Sequence, residues 1–359
     1  MNKDELILAF SALGSDLASM ADLLSKPDPS EKEDEYGILK AAILSYRENP
    51  WFTHDNISSA LYELSVMLNE DSLRSWIHSY EPKINYNSSS KTVGLINAGN
   101  IPLAGFHDFL CVLMSGHSYQ GKNSTTDRIL LPFVANKLVE LIPEIKNRIT
   151  FSEKLSNFDA VIATGSNNSS RYFEYYFSKY PHIIRKNRNG IAVLDGEETE
   201  EDLKNMSDDI FRYFGLGCRN VSKIYFPEGF NLDRFFQSLY HWSSVMSHHK
   251  YMNNFEHHNA VLLLKKVSFL QNGFIILMED ASLASPVAVL HYEFYSEKNR
   301  LFEKLSASSS EIQCIVSARK GFFTHPDLEK ISVRPGKTQS PKIGDYADGV
   351  DTMEFLLGL

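Results

Sequence analysis

Three cysteines, Cys111, Cys218 and Cys314, are the strongest nucleophiles the chain offers. They are too few and too scattered for a disulfide framework or a CxxC metal knuckle, so each is either a small core residue or a reactive thiol. Cys218 stands apart because it lies in Phe214-Gly-Leu-Gly-Cys-Arg-Asn220, where flanking glycines let backbone and ligand approach closely. Arg219 beside it favours a thiolate, whereas the negative end of the helix expected before it does not. The competing reading is a buried small residue in a helix-to-strand turn. Cys111 and Cys314, in an apolar helix and a strand, read as core.

Four further positions carry polar groups where α/β units gather ligands, at the carboxyl ends of expected strands. Asn100 can donate its amide to an oxyanion, or can simply close a turn before Pro102. Gly165-Ser166 can aim free N–H groups at a phosphate, or can form a plain turn. Lys122 reaches a ribose or phosphate, or is solvated. The histidines at 241, 248, 249, 257 and 258 lack HxxxH or HExxH spacing, and no metal is expected. Tyr172-Phe-Glu-Tyr-Tyr-Phe177 reads as a helix packing an aromatic face. The acids at 197–202 complement a helix N-terminus and are assigned no catalytic work.

The elements that must position these groups follow from periodicity. Residues 1–90 are helical and amphipathic, with Leu6, Phe10, Leu13, Leu17 and then Ile57, Leu61, Leu64, Met67 at three- and four-residue steps. From Lys91 the pattern alternates. Strands are expected at 92–97, 118–121, 160–164 and 191–194, with helices at 103–115, 130–141 and 169–178 between them, which implies a mostly parallel sheet with right-handed crossovers. Thr199-Glu-Glu-Asp202 is a capping-box-like helix entry, Gly215 and Gly217 stop that helix, and a strand resumes at 221–226. Further strands are expected at 274–278, 287–292 and 312–316, before a loop-rich tail from Pro335 to Gly349. The two α/β halves meet near 185–195.

At 359 residues the chain holds two to three domains' worth of material, and its 43% hydrophobic and 23% charged content is that of a folded globular protein. With 36 basic against 45 acidic residues the net charge is -9, and no basic block tracks a phosphate backbone, so nucleic acid is not expected as a partner. No uninterrupted apolar run approaches the ~20 residues of a membrane span. The N-terminus carries acids where a signal peptide is basic, and a cytoplasmic location is expected.

In order and rough spacing, 93–227 resembles the aldehyde dehydrogenase superfamily, and the overall pattern looks like its acyl-CoA reductases of the bacterial luminescence (LuxC) type. Asn100-Ile-Pro-Leu103 resembles the family's Asn-Phe-Pro-Leu loop, Gly121-Lys122 its cofactor lysine, Thr164-Gly-Ser166 its Gly-Ser phosphate turn, and Gly215-Leu-Gly-Cys218 its Gly-Gln-x-Cys nucleophile loop. The resemblance implies two Rossmann-like three-layer α/β domains with a helical N-terminal region. It divides the chain into a helical region 1–90, a dinucleotide-binding domain 91–190, a catalytic domain 191–334 and a tail 335–359. By carry-over, Cys218 is the nucleophile, Asn100 with the Cys218 N–H forms the oxyanion hole, and Lys122, Gly165 and Ser166 hold NADPH or NADH.

Three departures from the family's pattern bear on the reaction and its cofactor. Aldehyde-oxidising members carry a general-base Glu in a Glu-Leu-Gly-Gly segment, where this chain reads Ile184-Arg-Lys-Asn-Arg-Asn-Gly190 without a carboxylate. Hydrolysis of an acyl-enzyme is then slow, and acyl-CoA reduction to aldehyde is favoured over aldehyde oxidation, CoA-acylating or hydrolytic. The family's ribose-binding Glu falls near Ser282, with Glu279 as a substitute. Lys122-Asn-Ser-Thr125 lacks an acid to repel a 2′-phosphate, which leans towards NADPH. The resemblance leaves room for a homo-oligomer or an acyl-transferring partner protein, and for a catalytically weak dinucleotide-binding scaffold.

Overall fold

The computed structural model describes residues 2–81, 83, 84 and 90–359; residues 1, 82 and 85–89 of the expected helical region lie outside the described residues. Two compact units divide the chain, Met1–Asn187 with Pro341–Leu359, and Arg188–Ser340.

The first unit opens with helices α1 (Lys3–Ser25), α2 (Ile38–Glu48), α3 (His54–Met67) and α4 (Glu70–His78). Asn2 and Glu5 form a capping box at the start of α1. By length and composition α1 could also cross a membrane. Its Leu6, Phe10, Leu13, Leu17 and Met20 are instead fully buried in the unit's core, each contributing about 1.5–3 kcal/mol.

There follow β1 (Thr92–Ile96), α5 (Phe106–Met114), β2 (Ser118–Lys122), α6 (Leu130–Leu141), β3 (Ile149–Phe151), β4 (Ala160–Thr164), α7 (Asn167–Phe177) and β5 (His182–Arg185). The strands pair in parallel in the order β3-β2-β1-β4-β5. The order reverses between β1 and β4, and that is the crevice where doubly wound sheets take their ligands.

The expected tail 335–359 is not a separate element. Residues 335–340 belong to the second unit and Pro341–Leu359 to the first, where α13 (Thr352–Leu357) places Met353 and Leu356 in the core. Buried polar groups hold this segment. Arg185 forks onto Asp108 (2.6 and 3.3 Å) and donates to the Ala347 carbonyl (2.7 Å) and the Thr352 hydroxyl (2.9 Å). Trp76 Nε1 donates to the Tyr346 hydroxyl at 2.7 Å. The expected boundary at 190 falls at 187/188.

The second unit contains β6 (Asn189–Val193), α8 (Glu200–Phe211), β7 (Val221–Pro227), α9 (Leu232–Leu239), α10 (His249–Leu264), β8 (Leu270–Gln271), β9 (Ile276–Glu279), β10 (Val289–Tyr295), α11 (Lys298–Ala307), β11 (Ile312–Val316), α12 (Pro326–Lys330) and β12 (Ser332–Val333). Its sheet runs β12-β11-β6-β7-β10-β9-β8, parallel except for β8 against β9. The capping box expected at Thr199 is present, with Thr199 and Asp202 each accepting the other's N–H at 3.0 Å.

The aromatic run at 172–177 is helical and packs one aromatic face, that of Phe173 and Phe177 four residues apart. Phe173 and Phe177 pack inward, with Phe177 5.8 Å from the Phe158 ring, while Tyr172, Tyr175 and Tyr176 are exposed.

Candidate active site

Four of the expected site residues lie in the first unit, at the carboxyl ends of three neighbouring strands. Ile96 of β1 pairs with Lys122 of β2 and with Ala163 of β4, so the loop bearing Asn100, the exposed Lys122 and the Gly165-Ser166 turn share one end of the sheet. Asn100 is exposed in the loop between β1 and α5.

Polar residues that the sequence reading passed over fix that loop. The buried Asn97 donates to the Tyr119 hydroxyl (2.7 Å) and to Asn123 (2.9 Å). Thr126 donates to the Gly99 carbonyl (2.8 Å), and the buried Asp127 accepts the Leu103 N–H (3.2 Å) where Leu103 takes the left-handed conformation (φ 59°).

At the β4–α7 turn the expectation of free N–H groups needs correcting. The Gly165 N–H is engaged with the Arg185 carbonyl at 3.4 Å because β5 runs beside it, and the Ser166 hydroxyl caps α7 by accepting the Ser169 N–H at 3.2 Å. The Ser170 N–H likewise bonds the Ser166 carbonyl at 2.8 Å.

Cys218 lies in the second unit. α8 ends at Phe211, and Tyr213 (φ 54°), Phe214 (φ 56°) and Gly215 (φ 75°) then turn the chain left-handed. Two non-glycine residues in that region cost about 1–3 kcal/mol each, and such strain collects at functional sites. Burial of Tyr213 and the Phe214 ring against His248, 4.2 Å between centroids, hold it in place.

The chain next closes a turn in which the Asn220 N–H reaches the Gly217 carbonyl at 3.0 Å, with Cys218 exposed at its tip. Asn220 fastens the turn from beneath. It accepts the Gly217 N–H (2.8 Å) and donates to the carbonyls of Asp209 (3.0 Å) and Arg212 (2.8 Å). The Arg219 Nε donates to the Thr338 carbonyl, so its guanidinium is tethered to the 336–338 segment.

Asp209 holds the same segment, accepting the N–H groups of Gly336 (2.7 Å) and Thr338 (3.0 Å) and the Thr338 hydroxyl (2.8 Å). Beside the turn, Phe214, Gly215, Val221, Ser222, Tyr251 and Ser285 are among the residues that line a narrow cleft of mixed polarity.

Burial outweighs these donors and lifts the Asp209 carboxyl from 3.8 to about 6, and burial also lifts Asp127 to about 6. Because the folded-state value exceeds the unfolded one, each contribution to stability is complete below the unfolded value of ~4 and is lost as pH rises through about 6. The urea midpoint of Asp209→Asn should accordingly change less between pH ~4 and ~7 than wild type in the falling direction. Parallel pH slopes for the two proteins would contradict this.

The histidines have other partners. His248 caps α10 by accepting the Tyr251 N–H at 3.2 Å, and His241 bonds Asp208 at 3.2 Å. Among the described residues no three His, Cys, Asp or Glu side chains come together as a metal site. Cys111 and Cys314 are both buried.

Ile184–Gly190 contains no carboxylate, and two of its residues have structural partners. Arg185 is spent on Asp108, and Gly190 lies against the Cys218 turn: a Cβ there would stand 2.4 Å from the Arg219 carbonyl oxygen and 2.5 Å from that of Asn220.

Together the two sheets define an aldehyde-dehydrogenase-like fold. The chain is similar to aldehyde dehydrogenase 21 of Physcomitrella patens, in complex with the reaction product succinate, with 11% identity, 100% of this chain and 84% of that one covered, and a TM-score of 0.66. It is also similar to a mutant of the indole-3-acetaldehyde dehydrogenase AldA of P. syringae, in complex with NAD+ and IAA (11% identity, 91% and 76% covered, TM-score 0.59), and to an NADP dependent enzyme of E. coli (15%, 88% and 78%, 0.53). No family model and no curated protein matches the chain.

Proposed function

We propose that this chain is an NAD(P)H-dependent acyl-CoA reductase, similar to the bacterial luminescence type, that carries the acyl group as a thioester on Cys218 and releases an aldehyde. The observation that carries the reading is the exposed cysteine on a strained, buttressed turn within an aldehyde-dehydrogenase-like fold.

The order β3-β2-β1-β4-β5, with Asn100, Lys122 and the start of α7 at its ligand-binding end, fits a dinucleotide. Lys122 and the first-turn N–H groups next to Gly165 and Ser166 would hold its phosphates. Exposed Lys122, followed by Asn-Ser-Thr125 with no acid, favours the 2′-phosphate of NADPH. A bound nicotinamide supplies the hydride.

The chain's own groups do the rest. The Cys218 thiolate adds to the thioester carbonyl of acyl-CoA, and the resulting oxyanion takes hydrogen bonds from the Asn100 amide and the Cys218 N–H. Collapse expels CoA thiolate and leaves the acyl group on sulfur. With no carboxylate in 184–190 to activate water, that thioester persists until it is reduced or returned to a thiol.

Asn100→Ala should lower acyl-CoA-dependent NAD(P)H oxidation by about 10²–10³-fold while leaving NADPH binding, followed by its fluorescence, near wild type. An unchanged rate would remove Asn100 from the oxyanion hole.

A further inference from the structure

Asn100 is bracketed by two anchors that come from one short turn after β2. On its upstream side the Thr126 hydroxyl donates to the Gly99 carbonyl at 2.8 Å, and Gly99 packs so closely on the turn that a Cβ would stand 2.5 Å from Thr126 Oγ1 and 2.7 Å from Ser124 Oγ. Downstream, the buried Asp127 carboxylate accepts the Leu103 N–H at 3.2 Å. Leu103 is left-handed (φ 59°), a conformation a leucine keeps only under restraint. Its buried side chain and the Phe106 N–H, 2.9 Å from its carbonyl, complete the hold.

Residues 100–102 alone lie between the anchors, and the fixed φ of Pro102 stiffens them further. The Asn100 backbone therefore follows the 124–127 turn, which is itself well held. The Asp127 N–H closes it onto the Ser124 carbonyl (3.2 Å), the Ser124 and Thr126 hydroxyls bond each other (2.9 Å), and the buried Asn49 donates to the Thr126 carbonyl (3.4 Å). Lys122 opens the same stretch of chain, and its carbonyl accepts the Asn97 N–H at 3.0 Å. One segment, 122–127, thus carries the proposed cofactor lysine at its start and the anchors of the proposed oxyanion donor at its end.

We propose that Thr126 and Asp127 are positioning residues that set the rate of acyl transfer through Asn100, without touching substrate or dinucleotide themselves. The Thr126 hydroxyl is engaged with Gly99 and Ser124, and the Asp127 carboxylate is buried, so dinucleotide affinity does not depend on either. Withdrawing an anchor lets the Asn100 amide drift from the place where the oxyanion forms, and a drift near 1 Å lowers rates by about 10²-fold.

Because this role depends on Asn100 being the oxyanion donor, as proposed, the test is built to separate the two. With butyryl-CoA or palmitoyl-CoA as acyl donor, Thr126→Val and Asp127→Ala should each lower kcat for NADPH oxidation by about 10–10²-fold, with the Kd of NADPH, read by its fluorescence, near wild type. Thr126→Ser, which keeps the hydroxyl, should retain the wild-type kcat. Hydrogen exchange of the 98–104 amides should quicken in the first two variants. Combined with Asn100→Ala, neither should slow the enzyme beyond Asn100→Ala alone, since the loop then has no donor to aim. Effects that multiply in the double variants, a wild-type kcat in Thr126→Val, or NADPH affinity that falls in step with kcat overturns the positioning role and leaves Asn100 as the donor. A wild type without turnover, or Asn100→Ala at the wild-type rate, sinks the reading of the site and this role with it. Asp127 also accepts the Leu130 N–H at the start of α6 (3.4 Å), so should Asp127→Ala fail to fold, Thr126→Val at its exposed hydrogen bond decides.

Discussion

Gly190→Ala is expected to abolish most of the reactivity of Cys218 without touching it. The added methyl would sit 2.4 Å from the Arg219 carbonyl oxygen and 2.5 Å from that of Asn220, distances that real Cβ atoms do not show, and both neighbours are backbone. A flexible side chain would swing aside, but here the turn itself has to move. Asn220 is buried and bonded to Gly217, Asp209 and Arg212, so movement strains three hydrogen bonds at once.

Overpacking of this kind costs about 1–3 kcal/mol, and a misplacement near 1 Å at a reacting atom lowers rates by about 10²-fold. The check pairs a urea unfolding curve with acylation of Cys218 by acyl-CoA, followed by intact mass. A variant that acylates at the wild-type rate would mean that β6 does not set the position of the turn.

Arg185→Met is expected to destabilise the first unit by about 3–5 kcal/mol, because it leaves the Asp108 carboxylate with an uncompensated charge in a nearly dry setting. For a unit of this size that corresponds to roughly 10 °C or more in Tm. Arg185 also holds the Ala347 carbonyl and the Thr352 hydroxyl, so the 341–359 segment should become a preferred site of limited proteolysis. Replacing both partners, Asp108→Leu with Arg185→Met, should recover much of the loss, since the orphaned charge is then gone. If the double variant is as unstable as the single one, the pair acts through packing and not through charge.

These two sites also show what the sequence could and could not reveal. The β1–α5–β2–α6 and β4–α7 alternation was legible because buried strands and amphipathic helices write their periods locally, and the capping box at Thr199 did the same. β3 and β5, short strands at the edges of the first sheet, carry too few apolar residues to announce themselves.

The Cys218 and Asn100 loops are legible as candidates only through their order along the chain. The side chains that fix them were not. Asn97, Asp209 and Asn220 look like turn or helix-surface residues until burial and long-range partners are known, and Asp209 meets Thr338 at a separation of 129 residues. The tail's Gly- and Pro-rich composition reads as loop, and 335–346 holds no helix or strand, but its docking through Arg185, far upstream, is not legible in the sequence.

Every step proposed for this chain requires Cys218 to accept an acyl group. Wild-type protein mixed with acyl-CoA in the absence of dinucleotide, quenched and weighed intact, should gain the mass of one acyl chain; adding NADPH should discharge it as aldehyde, and Cys218→Ser should gain nothing. Wild type that stays unmodified, or Cys218→Ser that carries the same adduct, would contradict the assignment of this cysteine as the nucleophile.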